Sequence, residues 1–466
     1  MQRDPYFDLF IDEDDIFKRI KKSANPDSGL VDEILSEALL LKGLDIDSVV
    51  HLMNIQNSDD AKKLFNTAKK AKEKIYGKRL VIFAPLYVSN LCKNECSYCA
   101  FRAGNKNINR VALDADQIMD ETISLINQGH KRVLLVAGES YPHNDFTYIL
   151  DAIDAVYKAK TDTGEIRRVN VNIAPLETGQ FRELKDKKIG TYQIFQETYH
   201  RETYKNVHKK GPKSNYDWRL TAMDRAMEAG IDDVGIGVLF GLYDWKFEVL
   251  AMMQHIAHLE KLFGVGPHTI SVPRLEPADG SDIASHPVNQ VSDFDFKKLI
   301  AILRLAVPYT GIIMSTRESK EMRRDTFELG VSQISAGSRT NPGGYSNNDK
   351  GFAEQFSLGD HRTLDEVIKD VTELGYFPSF CTGCYRLGRT GADFMDLAKP
   401  GDIRAHCDPN AVSTFMEYLM DYASEETKKA GLKSIEQACL KMEPVPAERA
   451  RRFVKKVKSG KRDVYC

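Results

Sequence analysis

The stretch LYVSNLCKNECSYCAFR, Leu86 to Arg102, carries Cys92, Cys96 and Cys99 directly behind the apolar, β-branched run RLVIFAPLYV (79–88). Three residues separate the first two cysteines and two separate the second pair. Thiols this close together in one loop read as metal ligands, and their number is informative. A structural zinc ion is closed by four protein ligands, yet no Cys or His follows before His130. A four-iron cluster held by three thiolates keeps one iron open to an outside ligand. The loop also follows a strand, and in a parallel barrel the C-terminal ends of strands are where reactive groups gather.

Outward from this loop the pattern repeats. Further β-branched runs lie at RVLLVAG (132–138), RVNVNIAP (168–175), TYQIFQE (191–197), DDVGIGVLF (232–240), HTISVPR (268–274), GIIMST (311–316) and VSQISAG (331–337). Amphipathic stretches separate them, among them DADQIMDETISLINQG (114–129), YDWRLTAMDRAMEAG (216–230) and VSDFDFKKLIAILRLAV (291–307). Two of these end in a glycine suited to a helix C-cap. Eight strands alternating with helices over about 260 residues predict an α/β fold, a (β/α)8 TIM barrel, whose usual size is ~250 residues. Residues 1–76, with apolar positions three and four apart in VDEILSEALLLKGLDIDSVVHLM and DDAKKLFNTAKKAKEKIYG, read as an N-terminal helical cap. The barrel takes 77–345, and 346–466 reads as a mainly helical C-terminal domain.

The totals exclude several classes. The chain has 466 residues, 65 Lys and Arg against 67 Asp and Glu, and a formal charge of −2, which predicts neither a nucleic-acid nor a membrane partner. The acidic start MQRDPYFDLFIDEDD lacks the basic and apolar regions of a secretory signal, and no apolar run approaches the ~20 residues of a membrane span. The expectation is a cytoplasmic protein, where eight cysteines serve as metal ligands or small core residues rather than disulfides. Cys439, in SIEQACLKM, reads as core; Cys466 reads as disordered, and the basic RRFVKKVKSGKR (451–462) as a solvated or frayed helix end.

A second trio lies in the last quarter. Cys381 and Cys384 form CTGC within SFCTGCYRLGRTG, and Cys407 follows after 22 residues. A zinc site completed by His406 or His361 is the alternative on spacing alone. Two incomplete trios in one chain favour two iron–sulfur clusters.

The pattern CxxxCxxC after the first barrel strand, with Tyr98 before the third cysteine, resembles the radical S-adenosylmethionine (SAM) enzymes. The resemblance implies a [4Fe-4S] cluster whose open iron takes S-adenosyl-L-methionine, and a 5′-deoxyadenosyl radical formed when one electron breaks the sulfonium. It implies SAM contacts from Tyr98, from Glu139 in VAGES (136–140), from Glu197 in FQETYH (195–200) and from Arg219 in YDWRLTAM (216–223), with adenine against VGIGVLFG (234–241). On residue type alone, the alternatives are a solvated strand end for Glu139 and a helix-surface cation for Arg219.

With the second trio included, the whole chain resembles the radical SAM tyrosine lyases of [FeFe]-hydrogenase maturation. Its barrel also resembles the thiamine-pathway tyrosine lyase, 2-iminoacetate synthase, which lacks the C-terminal cysteines. The resemblance implies cleavage of the Cα–Cβ bond of L-tyrosine to p-cresol and dehydroglycine. Dehydroglycine then yields carbon monoxide and cyanide at an auxiliary [4Fe-4S] cluster carrying an additional iron, with L-cysteine bridging that iron. Arg317 in MSTRES, Ser335 in QISAGS and Tyr87 are the expected tyrosine contacts; an ion pair of Arg317 with Glu318 or Glu321 is the alternative. His268, in GVGPHTISVPR, is the expected imidazole ligand of the additional iron, placed near the barrel mouth or along a channel. A reducing electron donor and other hydrogenase maturation proteins are the implied partners. A lyase that stops at dehydroglycine and a non-enzymatic iron–sulfur scaffold are the competing readings.

Overall fold

The strand runs fold into a closed barrel. The structure, a computed structural model, describes residues 10–22, 24–346, 353–398 and 402–466. Its barrel strands are β1 (Arg79–Ser89), β2 (Arg132–Ala137), β3 (Arg168–Asn172), β4 (Tyr192–Gln193), β5 (Val234–Gly237), β6 (Thr269–Ser271), β7 (Gly311–Met314) and β8 (Val331–Ser335). Each pairs in parallel with the next, and β8 returns to β1 with Val81 opposite Gln333 and Phe83 opposite Ser335. The eight strands thus close on themselves, which is what the eight-fold alternation predicts. The strands carry apolar residues on the face that meets the helices, so Leu80, Ile82, Ala84, Leu86 and Val88 of β1 join the main core. Phe83 and Tyr87 belong instead to clusters inside the barrel and at its mouth.

β4 and β6 are shorter than the runs TYQIFQE and HTISVPR. Past Gln193 the backbone still bonds, with Ile194 N–H donating to Gly235 O (3.1 Å) and Gln196 N–H to Gly237 O (3.0 Å). Glu197 then adopts φ of 70°, a left-handed conformation that breaks the pleat and costs a non-glycine residue free energy.

The helical N-terminal region forms helices Glu13–Lys22, Ser28–Ala38, Ile46–Met53 and Ser58–Tyr76. Asp27, Asp45 and Asn57 cap the last three by accepting from backbone N–H groups of their first turns. They lie on the barrel's outer helices: Asp12 N–H donates to Gln254, and Lys246 to Asn54. Residues 1–9, most of the acidic start, lie outside the described residues.

Beyond the barrel, helix Leu364–Glu373 leads into β9 (Phe377–Ser379), which the sequence reading lacked. β9 pairs with the start of β1, Arg79 opposite Phe377 and Val81 opposite Ser379. Val81 also pairs with β8, so β9 occupies the β2 side, below the point where β2 begins its ladder at Ala84. Three residues centred on Pro378 carry no strand pattern, and proline is tolerated there because it lies at the end of the sheet. Helices Arg404–Asp421, Glu425–Lys441 and Pro444–Lys458 complete the chain, with Cys439 buried in the second of them.

The end of the described chain corrects one expectation. Cys466 is not loose: its N–H donates to Asn410 Oδ1 (2.9 Å), and its carbonyl accepts from Asn410 Nδ2 (3.0 Å) and Arg389 Nη2 (2.6 Å). Asp463 takes Arg386 (2.6 Å), and Arg462 takes Asp421 (2.6 Å). Neighbouring opposite charges on distant elements, invisible in a local reading, tie the segment down.

One buried ion pair supports the site from outside. Arg323, fully buried, pairs with Asp360 and donates to the carbonyl of Ser335 at 2.5 Å. Asp360 also accepts from Arg362 (2.9 and 2.7 Å), so Arg323→Met leaves that carboxylate one cation but loses a buried charge-assisted pair and the bond to Ser335 O, and is expected to lower unfolding stability by about 2 kcal/mol. Denaturant melts of wild type and variant check it.

Candidate active site

The loop between β1 and helix Ala115–Gln128 is held rigid before any ligand is considered. Arg110 donates to four carbonyls: Asn90 (2.9 Å), Phe101 (2.7 Å), Arg102 (2.6 Å) and Asn105 (3.2 Å). Asn90 closes the loop's base through Asn109 O and Val111 N–H. Gly138, at the end of β2, permits the close approach: a Cβ there would stand 2.2 Å from Leu91 O. Cys92, Cys96 and Cys99 all line one cavity at the C-terminal mouth of the barrel, with about 1330 Å³ of space between its atoms.

The three thiols are free. Burial, reinforced by Glu139 and Cys99, pushes the Cys92 thiol up to about 11, and burial raises Cys96 and Cys99 as well. Thiols whose charged form is this unfavourable keep their protons until a cation joins them. Among the described residues no group of three His, Cys, Asp or Glu side chains is spaced to hold a single metal ion. Three cysteines with no fourth Cys or His among the cavity's lining residues make a donor set of the kind that leaves one iron of a four-iron cluster open.

Beside the thiols lies a compact charged group. Glu139 accepts from Arg219 (2.8 Å) and from Asn94 Nδ2 (2.8 Å), and Glu197 accepts from Lys213 at 2.6 Å. Arg219 also donates to Phe195 O (2.6 Å) and stands 3.6 Å from Glu197. Burial opposes ionisation of Glu139, but Arg219 and Lys213 outweigh it and hold its carboxyl below the ordinary range. Two carboxylates and two cations suit a ligand with both an ammonium and a carboxylate, as SAM has. Arg219 is no helix-surface cation; its guanidinium is buried and already paired. Tyr98 faces the same cavity and bonds His208 Nε2 at 2.8 Å; His208 Nδ1 donates to Tyr204 O, which fixes that tautomer.

The tyrosine contacts expected from sequence also reach this cavity: Tyr87, Arg317 and Ser335 line it. Glu318 is engaged by Arg274 through two hydrogen bonds, 2.9 and 2.5 Å, so it does not pair with Arg317. The Arg317 guanidinium instead lies 3.2 Å from the centre of the Phe356 ring and borders the cavity. Ser335 Oγ accepts from Thr316 N–H (3.1 Å), leaving its own proton free to donate.

The second trio lies at the opposite end of the barrel. Cys381, Cys384 and Cys407 line a smaller cavity with Arg79, Val81, Arg132, His268 and Tyr385. A hydrogen bond from Cys407, helped by Arg389, lowers the Cys384 thiol below the ordinary range, while Cys407 itself is raised. Arg132 donates to Cys381 O (2.8 Å), and the buried Nε atoms of Arg79 and Arg132 have no hydrogen-bond partner among the described residues. Buried cations with spare donors suit an anionic guest, as a thiolate-bound iron cluster is. His268 differs from its expected place near the mouth, because it precedes β6 and so sits at the strand's N-terminal end. Its Nε2 meets Tyr385 Oη at 3.1 Å and its Nδ1 stands 3.5 Å from Asp233. Burial lowers its pKa, favouring the neutral imidazole that binds metals. Neither His406 nor His361 lines this cavity.

The two cavities are neighbours. Val81 lines the lower and Phe83 the upper, two residues apart on β1, roughly 7 Å along a strand. Between them Phe83, Leu134 and Ile313 form a small apolar cluster inside the barrel. Asn172, Gln193, Ser271 and Ser335 give the upper wall a polar side.

Sequence reasoning missed Lys213, Asn94, Gln355, Phe356 and the Arg79–Arg132 pair. Asn94 sits inside the cysteine loop and was within reach; the others carry no local pattern.

Comparison with known proteins agrees with this geometry. Residues 86–255 match the model of the Radical SAM superfamily, and 271–377 match the Biotin and Thiamin Synthesis associated domain. The chain is 31% identical to 2-iminoacetate synthase of Escherichia coli (strain K12) over 380 residues, 81% of this chain and 96% of the relative. The crystal structure of HydG, a maturase of the [FeFe]-hydrogenase, superposes with a TM-score of 0.95 at 47% identity, covering 98% of this chain and 100% of the other. HydG from Carboxydothermus hydrogenoformans gives 0.83 at 41%, covering 96% and 97%.

Proposed function

The chain belongs to the radical SAM tyrosine lyases, the family that includes HydG and 2-iminoacetate synthase, and from that premise we propose that it converts L-tyrosine into p-cresol, carbon monoxide and cyanide for hydrogenase maturation. Cys92, Cys96 and Cys99 would hold a [4Fe-4S] cluster with SAM beside it, and this pair would supply radical chemistry at the tyrosine amino group. The protein's own residues do the rest of the work at the mouth. Arg317 holds the tyrosine carboxylate, Ser335 donates to it, and Tyr87 sets the edge of the pocket. Glu139 and Glu197, fixed by Arg219 and Lys213, hold the ammonium end of SAM and spare a cationic surface for its carboxylate. Phe356 covers Arg317 and keeps water from the reacting atoms.

Cleavage of Cα–Cβ leaves dehydroglycine, small enough to move from the upper cavity to the lower one. There Cys381, Cys384 and Cys407 would hold an auxiliary [4Fe-4S] cluster, and His268, with free L-cysteine, would hold an additional iron, together supplying the chemistry that turns dehydroglycine into carbon monoxide and cyanide. The observation that carries this reading is the placement of two free cysteine trios at opposite ends of one barrel interior, in cavities whose linings are two residues apart on β1. A reducing electron donor and other maturation proteins complete the system.

Anaerobic incubation of the reconstituted chain with SAM, tyrosine and dithionite tests it. The expected products are 5′-deoxyadenosine, p-cresol, carbon monoxide and cyanide. Glyoxylate in place of the last two supports a lyase that stops at dehydroglycine, and no organic product at all supports a scaffold.

Arg317→Ala is expected to raise the tyrosine KM about 100-fold, since an unpaired carboxylate in a partly desolvated pocket loses a charge-assisted contact worth about 3 kcal/mol. Steady-state p-cresol formation measures it, and an unchanged KM removes Arg317 from the site.

A further inference from the structure

Gln355 touches both parts of the upper cavity. Its side-chain Oε1 accepts from Tyr87 Oη at 2.7 Å, and its Nε2 donates toward Cys99 Sγ at 3.7 Å. The orientation of the amide follows from the partners: a ligating thiolate only accepts, so the NH2 must face the sulfur and the oxygen must face the phenol. The backbone around it is fixed on both sides. Gln355 N–H donates to Thr340 O (3.0 Å), its carbonyl accepts from Ala100 N–H (3.4 Å), and Ser357 N–H donates to Pro277 O (2.8 Å). Ala100 directly follows Cys99, so residue 355 is tied to the cysteine loop by main chain as well as side chain. The next residue, Phe356, lies over Arg317.

A hydrogen bond to a cluster thiolate withdraws electron density from the sulfur and stabilises the reduced cluster. The strength of that bond depends on what the other end of the amide does. While Tyr87 donates to Oε1 it polarises the amide and strengthens the N–H donor. A substrate that draws the Tyr87 hydroxyl to itself, or displaces Phe356 on reaching Arg317, changes the bond to Cys99.

We propose that Gln355 is a positioning residue that couples occupancy of the substrate pocket to the reduction potential of the cluster held by Cys99. The proposal rests on the tyrosine-lyase reading of that pocket. It gives the enzyme a physical means of holding back SAM cleavage until substrate is in place.

The test is a redox titration, followed by electron paramagnetic resonance, of the full reconstituted chain with SAM, with and without L-tyrosine. In the wild type tyrosine shifts the potential of the SAM-binding cluster. Gln355→Leu removes both hydrogen bonds; Gln355→Glu keeps an acceptor for Tyr87 but offers no donor to sulfur. Both variants are expected to show a lower potential than wild type, the same with and without tyrosine, and a severalfold weaker stimulation of SAM cleavage by tyrosine. A variant with a full cluster, wild-type potential and wild-type response overturns the proposal, as does a lowered potential that still responds fully to tyrosine. Should Gln355→Leu fail to assemble its cluster, Gln355→Glu decides. A wild-type chain that cleaves no tyrosine overturns the functional reading instead.

Discussion

Alanine in place of any one of Cys92, Cys96 or Cys99 is expected to abolish SAM cleavage, lowering 5′-deoxyadenosine formation more than about 100-fold, while the barrel stays folded. Two thiolates cannot hold a four-iron cluster in the geometry the loop presents, and no other Cys or His lines that cavity to replace the third. The fold survives because the loop's shape does not come from the metal. Arg110 fastens it to four carbonyls, Asn90 closes its base, Cys99 N–H donates to Cys96 O (3.2 Å), Ser97 N–H to Val207 O (2.8 Å) and Ala103 N–H to Asn94 O (2.8 Å). Chromatographic assay of 5′-deoxyadenosine with circular dichroism on the same samples checks both halves. Retained cleavage in any single variant refutes the role of that cysteine.

The double substitution Cys381→Ser, Cys384→Ser is expected to separate the two halves of the proposed reaction. Carbon monoxide and cyanide should fall below detection, and iron per chain should drop from about nine to about four as the auxiliary cluster and its extra iron are lost. p-Cresol should persist within a few-fold of wild type, and glyoxylate should appear as dehydroglycine hydrolyses. The independence follows from the architecture: the lower trio hangs on β9 and helix Arg404–Asp421, while every residue of the upper pocket is fixed by β1–β8 and their C-terminal loops. Simultaneous loss of p-cresol would contradict the assignment of separate duties to the two ends.

The barrel was legible because its strands announce themselves locally. VLLVA of β2 is apolar along its length, and helices such as Ala115–Gln128 bury Ile118, Leu125 and Ile126 on one face behind a capping Asp114. The upper cysteine loop was legible for the same reason: its three thiols are neighbours in sequence as well as in space. What stayed hidden depends on long-range pairing. Gln355 lies 256 positions from Cys99, and Lys213 meets Asn94 across 119. Arg79 and Arg132 begin two strands and read as ordinary strand ends until β9 brings Cys381 beside them. Cys466 looked loose because its partners, Asn410 and Arg389, are 56 and 77 residues away. His268 was legible as a residue but not as a location: its place before β6 rather than after it puts it with the lower trio.

The collar of Phe83, Leu134 and Ile313 has a consequence for traffic. This apolar cluster stands between the two cavities, with Asn172, Gln193, Ser271 and Ser335 on the polar side of the upper wall, so in the proposed reaction a two-carbon imine would pass along that flank more readily than a phenol ring. In the proposed reaction the aromatic by-product would leave by the doorway through which tyrosine came, while carbon monoxide and cyanide would form at the far pole. Segregating the two exits would keep the radical-generating centre from being inhibited by the gases its own reaction leads to.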